Sequence, residues 1–306
     1  MTRTSRKSTR LLAVSLLVIC MTAVLGQSLF ATVSPDKLRV PDADKVQMIT
    51  LRDGSMLTGR ITEIRADSIS FSSQVGEVTI AINQIEDIRE VASSSIKGGK
   101  YWFPNPNRTR LYIAPTGRTL EAGQGYISDL LLFFPSAAYG LTDNITIGGG
   151  CSLFPGVDFD KQLWYLLPKV GISVTELVSI AGSALILRIP QFDQDLVEEP
   201  KVAGIVFGTC TIGTDDKSVT IGLGDGYVDD DFAEKPAFLI GGELRVARRL
   251  SLVSENWVFP EIDQPLISYG VRFFGESISA DIGFFTPGGE DLFFPGIPLV
   301  SFAYNF

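Results

Sequence analysis

Five acids fall within the stretch DGYVDDDFAEK: Asp225, Asp229, Asp230, Asp231 and Glu234. Oxygen ligands grouped in this way are the raw material of a Ca²⁺ or Mg²⁺ site, although the EF-hand spacing is absent. The same cluster also describes a solvated acidic loop that holds divalent ions loosely, and spacing does not choose between the two. Carboxylate pairs such as Asp158 and Asp160 have the right chemistry for general acid–base work, but no second catalytic group accompanies them. The chain contains no histidine. That excludes Ser-His-Asp and Cys-His nucleophiles, and His-ligated zinc, haem or non-haem iron. Its three cysteines, Cys20, Cys151 and Cys210, form no C-x-x-C motif. No enzyme is expected, and no cofactor is implied.

The 306 residues carry 26 Lys and Arg against 35 Asp and Glu, yet 45% of the chain is hydrophobic. Apolar surface and charge must therefore be kept apart. So acidic a chain lacks the clustered bases that nucleic acid requires, so no nucleic-acid partner is expected. The basic start MTRTSRKSTR is followed by LLAVSLLVICMTAVLG. This apolar run at 11–26 is short for a spanning helix and right for a signal-peptide core. Residues 1–26 are read as an export signal and 27–45 as a linker.

Over 46–91, apolar residues alternate with polar ones in several stretches: Ile49 and Leu51, Ile69 and Phe71, then Val78, Ile80 and Ile82. Turn residues interrupt them at Asp53-Gly54, Asp67 and Gly76. Period two with such turns predicts five short strands in a strongly bent small barrel. The pattern of Leu51, Asp53, Gly54 and Gly59 resembles Sm-like and other SH3-like barrels. The resemblance implies RNA binding or self-assembly. The first lacks its basic-aromatic face here, which leaves an adaptor that packs on a periplasmic protein partner through 46–91. Residues 92–107, ASSSIKGGKYWFPNPN, read as a linker.

Beyond Arg108 no convincing helical period exists. Twelve apolar-alternating segments recur instead: 108–114, 124–141, 144–153, 162–175, 177–188, 201–213, 217–224, 236–247, 249–259, 265–274, 277–286 and 297–306. Their connections alternate between tight turns and longer segments, as a meander does when one rim faces the periplasm and the other the exterior. The fold class read from this is all-β: a twelve-stranded antiparallel up-and-down transmembrane β-barrel over 108–306, preceded by the small five-stranded domain.

Within these strands Ile278, Ala280, Ile282 and Phe284 share one face, while Ser279, Asp281 and Gly283 take the other. A soluble barrel would carry the same alternation inside out. Aromatics near strand ends, such as Trp164-Tyr165 and Phe273-Phe274, favour lipid on the apolar side. The opposite face then lines the lumen. Its charged candidates are Lys169, Arg188, Glu243, Arg245, Arg272 and Asp281, with Arg110, Asp129 and Glu255 as further members of cross-lumen ion pairs.

The last strand, IPLVSFAYNF, sets Phe302, Tyr304 and Phe306 on one face. It resembles the C-terminal β-signal of bacterial outer-membrane proteins, which the barrel-assembly machinery recognises. It departs from that pattern at Leu299, where a polar residue is common, and at Ser301, where glycine is. Stretches such as PNPNRTR, AAYGLTDNITIGGG, SENWVFP and YGVRFFGE resemble uncharacterised bacterial outer-membrane barrels. The resemblance implies residence among outer-membrane lipid and lipopolysaccharide, with the small domain in the periplasm. Two roles follow: a porin-like barrel for small solutes, or a structural or assembly protein with a plugged lumen.

Overall fold

A computed structural model describes residues 37–190, 201–229, 231–260, 265–288 and 295–306. The proposed signal at 1–26 and Asp230 lie outside the described residues. The chain divides into two compact units, one ending at Trp102 and the other running from Phe103 to Phe306.

The first unit holds a five-stranded antiparallel sheet of β1 (Lys45–Leu51), β2 (Met56–Ile64), β3 (Ser68–Ser73), β4 (Gly76–Ala81) and β5 (Ile85–Ala92), in the order β4-β3-β2-β1-β5. A 3₁₀ turn over Ile82–Gln84 links β4 to β5. Alternation drives Ile49, Ile61, Ile69, Phe71, Ile80, Ile85 and Ile88 into one core. Gln47 is buried beside them, with Oε1 accepting from the Ile61 amide at 3.0 Å and Nε2 donating to the Arg39 carbonyl at 2.8 Å. Arg39 also grips Glu90 through two hydrogen bonds, which hold that carboxyl below its ordinary range. The segment read as a linker contains two short strands, β6 (Ile96–Lys97) and β7 (Lys100–Tyr101).

The second unit is a closed antiparallel barrel of twelve strands. These are β8 (Gly125–Leu130), β9 (Phe134–Thr142), β10 (Ile145–Cys151), β11 (Trp164–Ser173), β12 (Val178–Ile189), β13 (Lys201–Gly213), β14 (Lys217–Val228), β16 (Ala237–Ala247), β17 (Leu250–Val258), β18 (Leu266–Phe274), β19 (Ile278–Pro287) and β20 (Ile297–Asn305). A two-residue strand, β15 (Asp231–Phe232), folds back on the end of β14. Each barrel strand pairs with its neighbours in sequence, and β20 closes on β8 with Ser301 opposite Leu130 and Asn305 opposite Tyr126. Gly125 and Phe306 exchange both backbone hydrogen bonds, at 2.8 and 2.9 Å.

The strand number agrees with the sequence reading, but two of its members do not. Residues 108–114 form no wall strand, and 124–141 is a hairpin of two strands. The hairpin turns at Leu131 and Leu132, whose φ angles are +56° and +64°. Such turns normally use Asn or Gly, so LLLFFP carries no turn signal. The connections at one rim are short: 143–144, 174–177, 214–216, 248–249 and 275–277. At the other they are long, as in 152–163, 190–200 and 229–236, with 131–133 as the exception.

The faces are inverted relative to a water-soluble protein. Ile147, Val170, Ile221, Ile240, Ile282 and Phe302 are exposed on the outside, as is Tyr304. Arg272, Asp281, Glu243, Thr211 and Thr220 are buried within. An apolar band that runs round a closed wall far exceeds the few hundred Å² that a soluble monomer leaves exposed, and hydrocarbon is the solvent that suits it. Ile282→Arg, in the body of β19, should therefore cost about 2–4 kcal/mol, whereas Ile278→Arg at its short-turn end should cost about 0–1 kcal/mol. Urea titration of both variants in lipid vesicles, followed by heat-modifiable electrophoretic mobility, measures the difference. Equal costs would remove the hydrocarbon from this account.

Candidate functional site

The segment read as the first strand enters the barrel instead of its wall. Phe103, Asn105, Asn107, Thr109, Arg110, Leu111, Tyr112, Ala114, Thr116, Arg118 and Leu120 are all buried. The chain passes inward from the short-turn rim, reverses at 112–114, and returns to that rim before β8 begins. Its two arms bond to each other, with the Thr116 amide donating to the Thr109 carbonyl at 3.0 Å and Leu111 to Ala114 at 2.8 Å. Residues 103–120 thus form a plug in the short-turn half of the lumen.

Charged side chains of the wall hold it. Glu255 of β17 turns its Oε2 to three consecutive plug amides, those of Tyr112, Ile113 and Ala114, at 2.9, 2.9 and 3.0 Å. Successive N–H groups converging on one anion make a nest, here filled by a carboxylate of the same chain. The other oxygen, Oε1, accepts from the Trp257 indole at 2.9 Å. Arg272 of β18 is wholly buried and donates to both oxygens of Asp281 on β19, at 2.6 and 3.1 Å. Its remaining donors reach Glu243 of β16 at 3.0 Å and the Leu111 carbonyl at 2.6 Å. Ser301 adds a hydrogen bond to Asp281 at 2.7 Å, and Asn105 one to Glu243 at 2.6 Å.

Lys169 of β11 is met by backbone, with no carboxylate among its hydrogen-bond partners in the described residues. Its Nζ donates to the carbonyls of Thr109 and Thr116 at 3.1 and 3.4 Å, and to that of Arg118. Arg245 of β16 works at the rim, donating to the Phe103 carbonyl and to Asp216, both at 2.8 Å. Its guanidinium also lies over the rings of Phe103 and Phe274. Plug and wall approach so closely at Gly117 that a Cβ there would stand 2.3 Å from the Ser179 carbonyl oxygen.

Five of the six charged candidates, Lys169, Glu243, Arg245, Arg272 and Asp281, are therefore buried at this one site. Arg188 is not among them. Leu185 and Leu187 take the inward positions of β12, so Arg188 projects outward and is exposed near the long-loop end. A guanidinium there extends to the headgroup level while its stem lies along apolar surface. Asp129 also falls on the outward face, in register with Phe302 and Pro135. Of the described members of the acidic cluster, Asp225 is exposed on β14, while Asp229 accepts from the Val202 amide at 3.0 Å. Asp231 lies in β15 and Glu234 in the connection beyond it. Among the described residues no group of three or more acids or cysteines is placed to share a metal ion. Phe302, Tyr304 and Phe306 are exposed on the outer face, the last two stacked at 6.3 Å. Cys151 and Cys210 are free.

Asn105, Asn107 and the nest at 112–114 were invisible to sequence reading. PNPN has the composition of a linker, and RTRLYIA alternates like a strand. The signal that separates them from a wall strand is Arg110, whose side chain shares the buried Arg272–Asp281 group at 3.9 Å. Outside the barrel, a groove of about 890 Å³ runs over Gly182 and Gly208 between Val170 and Leu223. It opens toward lipid, away from these charges.

Arg272→Met removes one partner from two buried carboxylates, a change that costs about 3–5 kcal/mol. Urea titration should show that loss, and Arg272→Met/Asp281→Leu should recover part of it. A single variant as stable as the parent would mean that this cluster does not hold the barrel.

No protein-family description matches the chain, and no curated protein matches it. Among solved structures it is similar to the KdgM porin in complex with disordered oligogalacturonate, at 6% identity over 60% of this chain and 96% of that one, with a TM-score of 0.39. It is similar to Omp33 of Acinetobacter baumannii at 10% identity over 60% and 95% of the two chains, with a TM-score of 0.33. A loop-deletion variant of OmpT from Vibrio cholerae gives 11% identity over 86% and 96%, with a TM-score of 0.32.

Proposed function

We propose that this chain is a bacterial outer-membrane barrel of the porin-like type, whose passage for small solutes is closed by its own segment 103–120. The observation that carries the reading is Glu255 clamping three plug amides inside a wall whose outer surface is apolar. Every contact named above between plug and wall is non-covalent, so the segment can leave without breaking the chain. Short turns conventionally face the periplasm, which puts the plug's two ends on that side. The basic, apolar leader at 1–26 supplies export, and Phe302, Tyr304 and Phe306 serve the barrel-assembly machinery. The acids of the long connections face lipopolysaccharide and its divalent ions.

The first unit is a periplasmic adaptor of SH3-like or Sm-like kind. Its support is the sheet order β4-β3-β2-β1-β5 and the 3₁₀ turn between β4 and β5. Its role is to bind a periplasmic protein. A second reading draws on the same plug: a permanently filled barrel that acts as a scaffold.

Planar-bilayer conductance separates the two. The parent chain should be almost silent. Glu255→Ala, which strands three amides and an indole N–H, should open discrete steps, and replacing 107–117 with Gly and Ser at equal length should give larger, steadier ones. Silence from both variants, with normal heat-modifiable mobility, would favour the scaffold.

A further inference from the structure

The outer wall of the barrel is hollowed where Gly182 of β12 and Gly208 of β13 stand opposite each other in register. Both point outward, since Ala181 and Ser183 beside the first, and Phe207 and Thr209 beside the second, are buried within. Val170 of β11 pairs with Gly182 on one flank, and Leu223 of β14 with Gly208 on the other. With Ile172, Ile180, Ile221 and Phe238 they border the groove of about 890 Å³. Neither glycine is demanded by crowding or by a positive φ. A Cβ at Gly182 would have no atom within 4 Å, and one at Gly208 would meet the Ala181 carbonyl oxygen at 3.9 Å. At Gly117, Gly140 and Gly224, by contrast, a Cβ would collide with a neighbour at 2.3, 2.2 and 2.3 Å. Glycine inside a strand weakens it, and one that the backbone does not need marks a place where something else approaches closely. What these two positions supply is the hollow itself.

The same outward face of β12 continues through Ala184 and Ile186 to Arg188 at the long-loop end. Arg188 is exposed, and its guanidinium has no hydrogen-bond or ion-pair partner among the described residues. Trp164 stands opposite it on β11, with Phe159 edge-on to the indole at 4.7 Å. Arginine beside tryptophan at a strand end belongs to a headgroup boundary, and a guanidinium there matches the geometry of phosphate. From Arg188 to Gly182 is about 20 Å along the strand, or about 15 Å of depth at the usual tilt. That is about half of a hydrocarbon core. The hollow therefore sits where an acyl chain hung from Arg188 would end. Asp225, exposed on β14 opposite Val206, repels an anion from the far flank, so the phosphate side of the site lies over β11 and β12.

We propose that the groove at Gly182 and Gly208 seats one acyl chain of lipopolysaccharide, whose lipid A phosphate is held by Arg188. The proposal rests on the outer-membrane reading above, with the long connections outward, because lipopolysaccharide occupies that leaflet. It does not depend on whether the plug ever leaves. A second copy of the chain fits the groove less well. Its apolar wall would cover Arg188 and strip a guanidinium of water without giving it a partner.

The test titrates the full chain, folded in detergent micelles, with hexa-acylated lipid A, with the same lipid stripped of phosphate, and with dioleoylphosphatidylglycerol. Native mass spectrometry counts the lipid retained. Lipid A should saturate at one per chain. The dephosphorylated form, and phosphatidylglycerol with its less charged phosphodiester, should each bind at least about tenfold more weakly. Arg188→Gln should weaken lipid A by about tenfold or more, and so should Gly182→Leu/Gly208→Leu, which fills the hollow. Gly208→Ala should fall between that variant and the parent, and heat-modifiable mobility reports that each variant is folded. Ile282→Ala, on the wall of β19, should change nothing. Lipid A that never saturates, or is indifferent to both Arg188→Gln and the filled groove, overturns the site. Equal retention of phosphatidylglycerol overturns lipid A as its occupant, and a two-chain species that filling the groove abolishes would give the hollow to a second copy instead. Conductance steps from Glu255→Ala alongside such a failure would leave the gated barrel intact and remove only the lipid site.

Discussion

A barrel that stands in hydrocarbon has one place to keep a charge, which is its own interior. Lys or Arg on the outer wall costs about 2–4 kcal/mol at mid-bilayer, so Arg188, Asp129 and Asp225 stand outward toward the long-loop rim, and Lys169, Glu243, Glu255, Arg272 and Asp281 are turned inward. There they meet the opposite problem, since a desolvated charge without a partner is costlier still. Arg272 resolves both constraints. It is fully buried, and its donors are taken by Asp281, Glu243 and the carbonyl of Leu111. Two of those partners belong to the wall and the third to the plug. The cluster therefore fixes strand neighbours and seats the inserted segment at once.

The plug is held mostly by its backbone, which explains why its side-chain sequence discloses so little. Glu255 takes three amides, Lys169 takes three carbonyls, and Thr211 and Thr146 take the amides of Gly117 and Leu120 at 2.8 and 3.0 Å. A segment packed away from water must have its polar backbone satisfied, and the wall supplies what a regular ladder would have supplied. Hydrogen bonds to charged groups contribute about 1.5–3 kcal/mol each. Several together hold the inserted segment firmly, while removal of one anion unsettles a whole turn. Asn105 and Asn107 complete the lining. Asn105 donates to Glu243, and the Asn107 carboxamide oxygen accepts from Arg110 and Ser279, both at 2.9 Å.

The wall was legible because a period of two is imposed by lipid on one side and water or charge on the other. Ile278 to Phe284 against Ser279 to Gly283 reads correctly for that reason. The strand number was right through two errors that cancel: RTRLYIA alternates but lies in the lumen, and the hairpin at Leu131 and Leu132 has no turn residues. Both have one physical source. Alternation records which side chains meet different surroundings, not which backbone bonds to which. Arg110 can face a buried carboxylate from a loop as well as from a strand, and a turn bordered by lipid has no need of polar residues. Arg188 and Asp129 fall on the outward face because parity at a strand end is set by register, which composition does not encode.

Leu299 connects these strands of argument. In the C-terminal strand it stands where related patterns often carry a polar residue, and on an exposed lumen wall a leucine would be poorly placed. In this barrel it is buried with Leu111, Tyr112 and Val253, with Leu130 and Phe285 packed beside them. The plug thus has two kinds of face, one bound to Arg272 and Lys169 and another that packs on leucines. Withdrawal would expose that second face and the leucines together, at about 25 cal/mol per Å² of apolar surface. The two faces therefore seat the segment together, one through charge and the other through burial.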